Sequence, residues 1–90
     1  MALFLSLHQA PGLSPEEIAG YGPDVAKSVH ATFRQLYVNT DSGFIVSVYE
    51  ADSAASVEQE FERVGFPFDS ISEIDFTLSA AELTAMLARG

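Results

Sequence analysis

Residues 2–18, ALFLSLHQAPGLSPEEI, contain the signal that decides the fold. Leu3, Leu5 and Leu7 alternate with other side chains at a period of two, which predicts a β-strand. A proline and a glycine at 11–12 then end the strand. The SPEE motif at 14–17 opens a helix, because its serine can cap the first turn and its last glutamate can bond back to that serine. The stretch therefore predicts a strand followed directly by a capped helix.

The remaining sequence repeats these signals. Gly20, Gly22 and Pro23 predict a kink or a short break in the first helix. Strands are predicted at 32–40 and 43–50, joined by a tight turn, and at 70–76, with a capped helix between the second and third of these strands. A last capping box at 79–82 predicts a C-terminal helix over about 79–89. The βαββαβ order predicts an α+β, ferredoxin-like sandwich with an extra C-terminal helix, as a single domain over 1–90 with its core at 2–77.

The composition narrows the function classes. Thirteen acidic and four basic residues give the 90-residue chain a net charge of −9, which repels nucleic acid and anionic membranes. The absence of cysteine excludes a disulfide, a thiolate nucleophile and a sulfur metal site. The apolar run at 1–7 has no basic flank and is too short for a signal or a membrane span. We expect a cytoplasmic protein with no nucleic-acid or membrane partner.

The period of two divides the strand residues between two faces of the sheet. The helices are expected to cover one face, which holds Leu3, Leu5, Leu7, Leu36, Val38, Phe44, Val46, Val48, Ile74 and Phe76. The other face is expected to stay open, with Phe4, Ser6, His8, Phe33, Gln35, Tyr37, Asn39, Ile45, Ser47, Tyr49, Ile71, Glu73 and Asp75. A mixed aromatic and polar patch of this size usually marks an association surface. We therefore expect a homodimer through the open sheet face, with a lined cavity between the two sheets.

One end of that face is expected to gather groups capable of chemistry. In the strand order four-one-three-two, His8 is predicted to meet Glu73 and the end of the third strand. Imidazole and carboxylate oxygens suit a divalent metal, and a carboxylate can also orient a histidine as a general base. A third alternative is that these groups only solvate the dimer cavity. The candidate metal ligands are His8, Glu73 and Asp75, and the candidate ligand pocket is Gln35, Tyr37, Ser47 and Tyr49.

Other polar and aromatic residues have simpler interpretations. His30, near the end of the first helix, is expected mainly to complement the helix dipole. The acidic helix residues are expected to form a solvated face: Glu16, Glu17, Asp24, Glu58, Glu60 and Glu62. Phe66 and Phe68, on either side of Pro67, are expected to fill the core or an interface.

Three segments resemble a family of small bacterial proteins of largely unknown function, some of which bind nickel. They are the strand Phe4-Leu5 with PGLSPEEI at 11–18, the motif VYEAD at 48–52, and RVGFP at 63–67 before a strand that ends at Ser72-Glu73-Ile74. The resemblance covers roughly residues 3–75. It implies a ferredoxin-like fold, a sheet-to-sheet homodimer of the dimeric α/β-barrel type, and a divalent metal such as nickel near the interface. The chain has Ser47 where family members often carry a cysteine.

Two function classes remain open at this point. The first is a homodimeric binding protein that holds a divalent metal or a small ligand between the sheets. The second is a cofactor-independent enzyme similar to the monooxygenases of the dimeric barrel class, with His8 as the base and Gln35, Tyr37 and Tyr49 orienting a substrate. The second rests on analogy of fold.

Overall fold

The computed structural model describes residues 1–89; Gly90, the last residue of the predicted domain, lies outside them. The elements follow in the order β1 (Ala2–Gln9), α1 (Pro15–Gly20), α2 (Gly22–Lys27), β2 (Thr32–Asn39), β3 (Phe44–Ala51), α3 (Ala54–Val64), β4 (Ser70–Ile74) and α4 (Ala80–Arg89). The fold is of the α+β class, and its order is consistent with the ferredoxin-like fold.

The four strands form one antiparallel sheet in the order β2-β3-β1-β4. This is the predicted strand order, with β1 and β3 at the centre. Strand β4 is two residues shorter than predicted and ends at Ile74. Within residues 1–89, none of the helices has the length and apolarity needed to cross a bilayer.

Local sequence explains where the helices begin and end. Ser14 caps α1 in the predicted capping box, with its hydroxyl accepting from the N–H of Glu17. The predicted break is confirmed, because α1 ends at Gly20 and α2 begins again at Gly22 after Tyr21. Ser53 caps α3, and Gly65 ends it with a left-handed φ of 81°.

The assignment of the two sheet faces was wrong. The helices cover the face that holds Phe4, Ser6, His8, Ile45, Ser47 and Tyr49, all of which are buried. Phe4 and Tyr49 pack with Val57 and Phe61 of α3 in the core. The residues of β1, β3 and β4 that were expected beneath the helices lie instead on the other side, because strands with apolar residues on both faces do not indicate by their period which face the helices cover. On β2, Leu36 and Val38 do lie on the helix-covered face.

A register shift in β2 adds a second correction. The pairing with β3 slips between Phe33 and Gln35, so that Phe33 pairs with Tyr49 whereas Leu36 pairs with Ser47. Phe33 and Leu36 therefore share the helix-covered face, although an unbroken alternation would separate them. We call the uncovered side the open face. Its apolar residues are Leu3, Leu5, Leu7, Tyr37, Phe44, Val46, Val48 and Ile74, and its polar residues are Gln9, Thr32, Gln35, Asn39, Glu50, Ser70 and Ser72.

The C-terminal helix does not join the core. None of the residues of α4 is buried, and Leu83, Met86 and Leu87 are exposed, as are Phe76 and Leu78 before it. The radius of gyration is 15.0 Å, whereas a compact chain of this length has a value of about 12 Å. The chain thus leaves two apolar surfaces uncovered, the open face and α4.

Candidate functional site

His8 lies on β1 beneath the helices and is only 1% exposed. Its Nδ1 is 2.9 Å from the carbonyl oxygen of Pro67, and its Nε2 is 2.8 Å from Oγ of Ser47. A carbonyl oxygen can only accept, so Nδ1 carries the proton and donates it to Pro67. In the neutral ring Nε2 is then an acceptor, and the hydroxyl of Ser47 donates to it.

The surroundings of His8 keep the ring neutral. Burial lowers its pKa below the ordinary value of 6.5, against the opposing effects of the Pro67 carbonyl and the charge of Asp69. Phe61 meets the imidazole edge to face at 4.8 Å, and Phe66 lies at 4.5 Å from it. A neutral imidazole between two phenyl rings is well placed to hold Ser47 in a fixed orientation.

The turn after α3 positions the partners of His8. Gly65 reverses the chain in a left-handed conformation, and the N–H groups of Gly65 and Phe66 both donate to the carbonyl of Phe61. The N–H of Asp69 then donates to the carbonyl of Leu7 at 2.7 Å, which fastens the turn to β1. Phe68 packs against the core as expected, Phe66 lies against His8, and the carbonyl of Pro67 faces the imidazole.

A cavity of about 300 Å³ lies beside the His8–Ser47 pair, between the sheet and helices α1 and α2. Its lining is almost wholly apolar, and it consists of Ile18, Ala19, Tyr21, Gly22, Val25, Ala26, Phe33, Leu36, Ser47, Tyr49 and Phe66. Neither α1 nor α2 contains a fully buried residue. The two helices therefore stand away from the sheet, and the cavity is the space they leave.

Three of the side chains that line this cavity carry hydroxyl groups. They belong to Tyr21, Ser47 and Tyr49, and no charged side chain lines the space. Burial and the nearby charge of Glu60 together raise the pKa of Tyr49 to about 12, against the opposing effect of Arg63. The hydroxyl of Tyr49 therefore stays neutral near pH 7 and can donate or accept a hydrogen bond.

Glu60 was wrongly placed on the solvated face of α3, since the structure buries it completely. Burial alone would raise the pKa of its carboxyl, but hydrogen bonds from Arg63 and from the backbone N–H of His30 hold that pKa below its usual range. His30 itself is exposed beyond the end of α2. Arg63 three residues after Glu60 was the one sequence signal for this pair.

The predicted site residues divide between the two faces. His8, Ser47 and Tyr49 lie on the helix-covered side, whereas Gln35 and Tyr37 lie on the open face. Glu73 pairs with Phe4 rather than with the end of β1, and Asp75 follows the end of β4; both are exposed. The structure brings His8 to Ser47 but does not bring either carboxylate to His8.

The donor set of one chain does not fit a nickel ion. Among residues 1–89 there is no group of three or more histidines and carboxylates that could hold a metal. Both nitrogens of His8 are already engaged within the chain. The imidazole of His8 is the predicted ligand that nickel would prefer, and these two hydrogen bonds make it unavailable.

Comparisons with known proteins agree with the fold. The crystal structure of SCO4226 from Streptomyces coelicolor A3(2) is similar to this chain, with a TM-score of 0.74 and 26% sequence identity. The match covers 84% of this chain and 99% of that one. Among the curated proteins, none matches this chain. The family model described as nickel responsive protein SCO4226-like matches residues 4–74, and α4 lies beyond that match. This chain belongs to the family of SCO4226-like nickel responsive proteins.

Proposed function

We propose that the protein is a homodimeric binding protein whose two open faces pack against each other. The observation that carries this proposal is the apolar character of a sheet face that no helix covers. Leucines and valines of β1 and β3 form its centre, and Tyr37 and Phe44 are 60% and 46% exposed at its border. An exposed apolar surface of this extent marks an interaction site in small proteins.

The charge distribution supports a second copy as the partner. The chain carries a net charge of −9, so two copies repel each other unless the contacting surfaces are neutral. The carboxylate at the border of the open face belongs to Glu50, and it is paired with Arg34. The central residues of the face are aliphatic. A twofold axis through this face would therefore bring neutral apolar surfaces together.

The test is the oligomeric state at micromolar concentration. Leu5 lies at the centre of the open face, between Val48 and Ser72. We expect sedimentation to show a dimer for the wild type and a folded monomer for Leu5→Lys, because a lysine there would bury its charge in the interface. Gln59→Lys, on the exposed side of α3, is the matched control and should remain a dimer. A monomeric wild type would contradict the proposal.

The family description supports a role connected with nickel. A metal site at His8, Glu73 and Asp75 stays a prediction, and in this fold it requires His8 to leave Ser47 and to reach the solvent. Its test is a nickel titration of the melting temperature. A rise that His8→Gln abolishes would support the site, whereas an unchanged melting temperature would remove this site and leave the dimer unaffected.

No observation favours the enzymatic alternative. It placed His8 between the sheets as a general base, but His8 lies on the opposite side of the sheet with both nitrogens hydrogen-bonded. Gln35 and Tyr37 do lie on the open face, where they are available to contact the second protomer or a ligand held between the two.

A further inference from the structure

The cavity beneath α1 and α2 has a chemistry of its own, separate from the proposed dimer surface. We infer that it is the binding site of a small neutral aromatic molecule that carries one hydrogen-bond donor. The ring would lie among four aromatic side chains, and the donor would bond to Oγ of Ser47. The inference does not rest on the dimer, because the cavity and the open face are on opposite sides of the sheet.

The size and the walls of the cavity select an aromatic ligand. Its volume of about 300 Å³ is at the lower end of the range of ligand pockets, and equals the space of about ten water molecules. Tyr21 and Phe66 have their ring centroids 5.3 Å apart, and Phe33 and Tyr49 have theirs 5.5 Å apart. These two pairs form walls against which a further ring can stack or meet an edge.

The charges around the cavity select a neutral ligand. No arginine, lysine or carboxylate lines it, so an ion entering the space would lose its hydration without gaining a counter-charge. The net charge of −9 further disfavours an anion. An uncharged aromatic ring that enters the cavity loses no ionic hydration and is not repelled by the charge of the protein.

The His8–Ser47 pair selects a donor rather than an acceptor. Since the carbonyl of Pro67 holds the proton of His8 on Nδ1, the single proton of the Ser47 hydroxyl is committed to Nε2. The oxygen of Ser47 can then only accept from a ligand. A phenol or a comparable hydroxyl or N–H compound satisfies this requirement, whereas an unsubstituted ring does not.

The experiment is a titration of the full chain, followed by fluorine NMR, with para-fluorophenol, fluorobenzene, para-fluorobenzoate and para-fluorobenzylammonium. We expect saturable binding of the phenol, about two- to tenfold weaker binding of fluorobenzene, which lacks the donor, and the weakest binding for the two ions. Ser47→Ala should bind the phenol and fluorobenzene equally. Absence of saturable binding of the phenol at millimolar concentration would overturn the inference, as would stronger binding of either ion.

Two variants locate the probe. Ala26 lines the cavity from α2, so the phenyl ring of Ala26→Phe should occupy part of the cavity and abolish binding. Ala54→Phe, at the exposed start of α3, should bind like the wild type. In the wild type, nuclear Overhauser contacts from the phenol ring to methyl groups of Ile18 and Val25 are expected, and they decide the location even where Ala26→Phe fails to fold. Binding that survives Ala26→Phe, or contacts to methyl groups of the open face, would overturn the assignment.

Discussion

His8 is the residue at which packing and chemistry are most tightly linked. It is a titratable group with almost no exposed surface, and in the neutral form its Nδ1–H donates to Pro67 while its Nε2 accepts from Ser47. A proton on Nε2 would displace the hydrogen bond that Ser47 donates. The hydrogen bond between His8 and Ser47 therefore depends on pH, although His8 carries no charge at pH 7.

We predict that His8 makes the fold less stable at mildly acidic pH. Its pKa is lowered in the folded state, so below the unfolded value of 6.5 the unfolded chain binds more protons. The free energy of unfolding should rise with pH up to about 6.5 and fall below it by at most about 1.4 kcal/mol per pH unit. Urea denaturation between about pH 7.5 and about pH 5 measures this slope.

The variant His8→Gln is the control for this slope. It cannot titrate, so the difference between its pH profile and that of the wild type isolates His8 from the many carboxylates. Parallel profiles for the two proteins would contradict the neutral buried state of His8.

At the scale of elements, the β2–β3 turn is in direct contact with the loop after β1. The N–H of Ala10 donates to the carbonyl of Gly43 at 2.8 Å. Gly43 has a φ of 75°, and a Cβ at this position would overlap the backbone of Ala10 and Pro11. A glycine is therefore required here for two reasons, its conformation and its close contact with the loop.

We predict that Gly43→Ala destabilises the fold more than Gly65→Ala. Both positions have a left-handed φ, but a Cβ at Gly65 meets nothing within 4 Å. Gly65→Ala should cost about 1 kcal/mol from conformation alone, and Gly43→Ala about 1–3 kcal/mol more from overlap. Urea midpoints of the two variants measure the difference, and equal losses would show that the β1 loop moves aside freely.

The element order was predictable, and the break expected at Gly22-Pro23 lies one residue earlier, at Tyr21, because capping boxes, turns and proline act within a few residues. The site was only partly predictable. The sequence singled out His8, Ser47 and Tyr49, which do lie close together. It also predicted that His8 lies next to Glu73, which it does not. Their association depends on the pairing of β1 with β3 and β4, and on the carbonyl of Pro67, which no local pattern indicates.

At the scale of the whole molecule, the main feature is that the fold leaves two apolar surfaces uncovered. The open face and α4 both present apolar side chains, and the longest dimension of the molecule, with α4 included, is 46 Å. Leu83, Met86 and Leu87 expose apolar surface to water. Burial of this surface against another protein surface would be favourable. We expect α4 to contact the second protomer of the proposed dimer.

We predict that a chain ending at residue 77 still folds but dimerises more weakly. Residues 4–74 contain the whole family match, and α4 contributes nothing to the core. Loss of its apolar contacts should raise the dissociation constant at least about tenfold, which corresponds to about 1.4 kcal/mol. Sedimentation over a range of concentrations measures this constant. An unchanged constant would show that α4 does not take part in the dimer.

The sequence by itself determined the order of the elements, their boundaries to within about two residues and, on β1, β3 and β4, the sets of residues that share a face, because these depend on short-range periodicity and capping. It did not determine the faces of β2, where the register shift breaks the alternation. Only the tertiary structure decided which face the helices cover. Both faces are apolar enough to be buried, so the choice depends on how Phe4 and Tyr49 pack against Phe61 of α3. That long-range packing buries His8 beneath the helices, where it bonds to Ser47, instead of placing it in the expected dimer cavity.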